Sequence, residues 1–119
     1  MDMKTHIVIV EFARKYGIKE GLILTELCRR MQVAGTAVIP FSVPIGKQHF
    51  PYLTEKQIRL SLARLREQGC VRRAYEQERT MDRTSMFHLN DKVYQYYLQV
   101  MILEQGRLAE VMLPSSGGF

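Results

Sequence analysis

The sequence predicts a mainly helical domain with a small β-wing, a winged helix-turn-helix followed by one C-terminal helix. Three observations carry that prediction: a capped amphipathic helix behind a Phe-Pro turn at 50–54, a two-strand ribbon pattern directly after it, and a short Pro-bearing strand with a short helix directly before it. At 119 residues, with 46% hydrophobic and 24% charged side chains, the chain suits one globular domain with one core. Residues 1–90 are expected to form the winged domain and 91–113 a helix that packs on it or pairs two copies. Residues 114–119 are expected to be a disordered tail.

In chain order, residues 4–16 carry a β-branched run, Ile7-Val8-Ile9-Val10, that favours a strand. They also carry apolar spacing (Ile7, Val10, Ala13) and a stop at Gly17 that favour a helix, and the segment is read as a helix. Residues 18–31 form a second helix through Ile23, Leu24, Leu27 and Met31, with Arg29 and Arg30 near its negative end and Gly35 beyond it. Residues 36–41 read as an edge strand because Pro40 is excluded from a central one. Ser42 then caps a short helix to about His49, with Pro44 in its first turn and Gly46 weakening it.

Thr54 opens the strongest helix, with Gln57 in capping-box position, an apolar face of Ile58, Leu62 and Leu65, and Gly69 as its stop. Strands are expected at 70–76 and 85–89, joined by a charged tip at 77–83. Asn90 or Asp91 caps a last helix over 92–112, ended by Pro114.

Composition excludes several classes. The longest early apolar stretch is four residues, far from the ~20 that a bilayer needs, and it has neither a basic lead nor a small-residue cleavage site, so a cytoplasmic protein with no membrane partner is expected. Cys28 and Cys70 stand 42 positions apart in apolar surroundings, without ligand spacing, and read as reduced core thiols. His6, His49 and His88 are scattered, and no phosphate loop, nucleophile–base motif, HxxxH or CxxC is present. No enzyme activity, cofactor or metal is therefore expected.

The net charge of +5 is concentrated. Between positions 54 and 84, eight Lys or Arg face five Asp or Glu, a local +3 in about a quarter of the chain. If Ile58, Leu62 and Leu65 point inward, Lys56, Arg59, Leu60 and Arg64 point outward, and the ribbon adds Arg72, Arg73 and Arg79. Thr54 and Gln57 stand at the start of the same helix. Such a surface suits double-stranded DNA, with the helix in the major groove and the wing on the backbone. Leu60 could meet a thymine methyl or a partner chain. On the last helix Tyr94, Tyr97, Leu98, Met101 and Leu108 approximate an a/d seam, which either covers the domain's own core or builds a homodimer.

The stretch F-P-Y-L-T-E-K-Q-I-R-L-S-L-A-R-L-R-E-Q-G-C-V (50–71), followed by D-R-T-S-M-F-H-L-N (82–90), resembles the N-terminal winged-helix domain of phage replisome organisers and DnaD-type primosome proteins. G-I-K-E-G-L-I-L-T-E-L (17–27) matches that family's second helix, so the likeness covers about 16–90. It departs at Met86-Phe87, where the family has Trp-Tyr, and at Leu60, where a basic residue is common. The resemblance implies a role in replication initiation, with replication proteins as further partners, and implies that Asp82 and Arg83 brace the ribbon. The chain's shortness points instead to transcriptional regulation or an accessory role. A winged-helix docking or oligomerisation module without DNA contact is the alternative reading.

Overall fold

The computed structural model describes residues 3–36, 38–74, 85–103 and 108–114. Within them the order is β1 (Met3–Ile9), α1 (Val10–Tyr16), α2 (Ile18–Ala34), β2 (Val38–Phe41), α3 (Val43–His49), α4 (Glu55–Glu67), β3 (Val71–Arg73), β4 (Ser85–Leu89), α5 (Asp91–Leu103) and β5 (Leu108–Pro114). From α2 to β4 this is the expected winged-helix order. β2, β4 and β3 form one antiparallel sheet in that spatial order, so β2 is an edge and Pro40, opposite Met86, sits where a missing N–H is tolerated. The expected charged tip at 77–83 lies outside the described residues, as do 115–119 of the expected tail, whereas Pro114, assigned to that tail, ends β5.

The helix boundaries follow local chemistry. Ser42 Oγ accepts the Ile45 N–H at 3.3 Å and starts α3. Asn90 Oδ1 accepts the Lys92 and Val93 N–H groups at 2.8 and 3.3 Å and starts α5. After α4 the chain reverses at Gly69, whose φ of 77° a side chain would strain. That reversal lets the Cys70 N–H bond back to the Leu65 carbonyl at 2.9 Å.

Gly46 weakens α3 for a packing reason. A Cβ there would stand 3.1 Å from Ile58 Cγ2, so glycine permits the close α3–α4 approach of the helix-turn-helix. The core lies between α2, α4, the three-stranded sheet and α5, with Ile23, Leu27, Phe41, Ile58, Leu65 and Val100 all wholly buried. Cys28 and Cys70 are free and buried in it, and burial pushes both thiols up from their ordinary value.

Two expected helices change. The segment expected to be one helix over 4–16 is a strand, β1, as far as Ile9, and helix only from Val10. The last helix, expected over 92–112, ends at Leu103, and Leu108–Pro114 is a strand. The two corrections have one cause. β1 and β5 pair antiparallel along their whole length, Met3 opposite Pro114 and Ile9 opposite Leu108. The β-branched run of β1 thus finds a ladder partner at the far end of the chain, and that tertiary pairing overrides an ambiguous local pattern. Among the described residues no helix is long and apolar enough to cross a membrane.

Candidate nucleic-acid interface

The site begins with the turn that aims α4. Phe50, Tyr52 and Leu53 bury their side chains, and Lys47 Nζ donates to the Pro51 and Leu53 carbonyls at 3.1 and 2.8 Å. A lysine that would otherwise add to the surface charge here satisfies two turn carbonyls and fixes the α3–α4 angle. The reciprocal capping box then forms: the Gln57 N–H donates to Thr54 Oγ1 at 3.1 Å, and the Thr54 N–H donates to Gln57 Oε1 at 2.9 Å. Thr54 and Gln57, expected as DNA contacts, spend these oxygens on the helix start.

With the first turn fixed, phasing decides which side chains face out. Ile58, Ser61, Leu62 and Leu65 are buried. Opposite them, by helical spacing, runs a stripe of Lys56, Leu60, Ala63 and Glu67, with Arg59 and Arg66 on one shoulder and Arg64 on the other. All seven are exposed. Arg72 and Arg73 are exposed on β3. They share a groove of about 450 Å³ with Ala63, Arg66 and Glu67, which joins the wing root to the C-terminal half of α4. Residues 54–74 hold six Lys or Arg against two Glu, a net +4 within a chain of +5.

The ion pairs separate the available cations from the committed one. Arg64 Nη1 lies 3.5 Å from Glu20 Oε2 while remaining mostly exposed. Among the described residues, the ion pairs otherwise join Glu11 to Arg14 and Glu26 to Arg29, Arg30 and His49. Lys56, Arg59, Arg66, Arg72 and Arg73 are in none of them. Arg79 lies outside the described residues.

The expected dimer seam is reassigned. Tyr97 is 2% exposed and its hydroxyl donates to Gln32 Oε1 at 2.9 Å, tying α5 to α2. Desolvation raises its pKa to about 12, so it stays a neutral donor. Tyr94, Leu98 and Met101 are partly buried against the domain's own core. Leu108 stands on β5, opposite Ile9, and cannot extend a helical repeat. Within one chain, α5 covers its own domain with Tyr97 and Val100 wholly buried and with Tyr94, Leu98 and Met101 partly so.

Two buried carboxylates of α2 were not singled out in the sequence. Ser61 Oγ donates to Glu20 Oε2 at 2.8 Å, anchoring α4 to α2. A signal existed: Glu20 stands in line with Leu24 and Leu27 on the inward stripe of α2, and Ser61 stands between Ile58 and Leu65 on that of α4, so two polar groups on facing apolar stripes need each other. Glu26 is the other, 5% exposed. Its oxygens accept Arg29 Nε at 2.8 Å, Arg29 Nη2 at 2.7 Å and Arg30 Nε at 2.7 Å, and His49 Nε2 lies 3.3 Å away. Burial pushes the Glu26 carboxyl up, but the Arg29 hydrogen bonds and the surrounding cations outweigh it and hold the group below its usual value.

His6 and His49, scattered in sequence, meet with ring centroids 5.2 Å apart and border a cavity of about 330 Å³ with Glu26, Phe50 and Tyr97. The cluster fixes the end of α3 against α2. Among the described residues no group of three or more His, Cys, Asp or Glu is placed to hold a metal ion.

No family model, curated protein or solved structure matches the chain.

Proposed function

We propose that this domain binds double-stranded DNA, laying α4 in the major groove and β3 with its ribbon along the phosphate backbone. One observation carries the reading. The cations of α4 and β3 are exposed, Arg66 shares a groove with Arg72 and Arg73, and five of these cations are engaged by no ion pair among the described residues. The helix beneath them is held by caps and an aliphatic face, so its outer side chains are not needed for folding. Exposed Lys and Arg beside a short wing suit a polyanion, because each neutralised phosphate releases condensed counterions.

The proposed role is binding rather than catalysis, in replication initiation or transcriptional regulation of a phage- or plasmid-type element. The likeness of residues 50–71 and 82–90 to replisome-organiser domains supports replication. Titrating a random-sequence duplex at ~50 and ~200 mM salt tests the binding. With about five phosphate contacts, affinity should fall by two to three orders of magnitude over that range. An affinity that barely responds to salt would remove the phosphate-led interface.

A second reading, docking of a protein partner or a second copy, has its own support away from α4. Ile7 and Met101 border one cavity, Ile7 is 46% exposed, and Ile102, next to Met101, is 68% exposed. The solution mass of the wild type against Ile102→Lys decides it: a dimer that Ile102→Lys dissociates supports the homodimer, and a wild-type monomer removes it.

A further inference from the structure

We propose that Leu60 reads thymine in the major groove, its isobutyl group packing on the 5-methyl of the base. This rests on the DNA reading above and adds to it a residue that chooses sequence. Leu60 is 50% exposed and lies on the part of α4 opposite Ile58 and Leu65, the line that enters a groove deepest. A large apolar side chain there costs solvation in the free protein and returns it only against an apolar partner. In the major groove the apolar feature is the thymine methyl, and cytosine and both purines lack it.

The surroundings favour a base edge over another protein. One helical turn from Leu60 stand Lys56, Gln57, Ala63 and Arg64. A stable protein interface needs roughly 800 Å² per partner around an apolar centre depleted in charge, and here one leucine stands among Lys56, Arg64, Gln57 and Ala63. The other exposed large apolar side chains among the described residues, Ile7, Ile18, Val33 and Ile102, belong to β1, α2 and α5. Ala63 is small enough to let the backbone of α4 approach a base pair closely. Arg59 and Arg64, exposed on opposite shoulders of the same helix, can hold phosphates on either side while Leu60 meets the base.

The test uses the full chain and a duplex selected by it from a random-sequence library. In that duplex each thymine is replaced in turn by deoxyuridine, which removes only the methyl. At one or two positions wild-type affinity should fall about fourfold, the effect of one buried methyl. Leu60→Ala, a change at a half-exposed position that should leave the melting temperature in place, should bind the thymine and uracil duplexes equally well. A wild type indifferent to uracil at every position overturns the inference while leaving the DNA reading standing, and so does a Leu60→Ala variant that keeps the sensitivity. Failure to bind any duplex brings down both.

Discussion

Helices α4 and α5 are both 13 residues long, both amphipathic and both packed on α2, yet their outer faces differ. α4 turns out Lys56, Arg59, Arg64 and Arg66, whereas α5 turns out Asp91, Lys92, Gln95, Gln99 and Ile102. Their inner attachments differ as well. α4 reaches α2 through Ser61 on the buried Glu20 carboxylate, and α5 through the Tyr97 hydroxyl on Gln32, a residue open to solvent. Amphipathicity alone therefore says that a helix packs, and the chemistry of its wet face says what it could meet. In α4 the two jobs are separated residue by residue, so each can be perturbed without the other.

The largest effect on this comparison should come from the α4 core. Leu65 is wholly buried, and Leu65→Ala should destabilise the fold by about 2–5 kcal/mol in urea denaturation. A cost near zero would mean that the helix is phased differently and that the charged stripe does not face out. Next is Ser61→Ala, which removes a donor from a buried carboxylate and should cost about 1.5–3 kcal/mol. If its melting temperature matches that of the wild type, Glu20 does not anchor α4.

Tyr97→Phe sharpens the contrast from the side of α5. It leaves the ring in the core and deletes one hydrogen bond to an exposed partner, so about 0.5–1.5 kcal/mol is expected, with DNA affinity unchanged. Altered affinity in that variant would show that α5 takes part in the interface.

The same contrast explains what the sequence could disclose. The start, phase and stop of α4 are written within a few residues of each other: Thr54 and Gln57 for the cap, Ile58, Leu62 and Leu65 for the face, Gly69 for the reversal. Local signals also placed Ser42 and Pro40, and narrowed the cap of α5 to Asn90 or Asp91, of which Asn90 forms it. What failed was non-local. Nothing near Ile7-Val8-Ile9 reveals that its ladder partner is 108–114, so the local pattern predicts helix for β1 and a longer α5 in place of β5.

The site divides in the same way. The outward cations followed from helical spacing. Lys47 was not foreseen as the clasp of the turn, because its acceptors are backbone carbonyls and any residue supplies those. His6 and His49 were counted as scattered because β1 and α3 meet only in the folded chain. The buried pair Glu20–Ser61 was legible in principle, as two polar interruptions on apolar stripes, although neither stripe alone names the other as its partner.

If the outer face of α4 binds phosphate while its inner face carries the fold, the Lys56→Ala, Arg59→Ala double variant separates the two. Both side chains are exposed and in no ion pair among the described residues. The melting temperature should therefore stay near that of the wild type, while the slope of log affinity against log salt for duplex DNA becomes shallower by about 2 and affinity falls. Unchanged affinity and slope in a folded variant would contradict that division, as would a marked loss of stability.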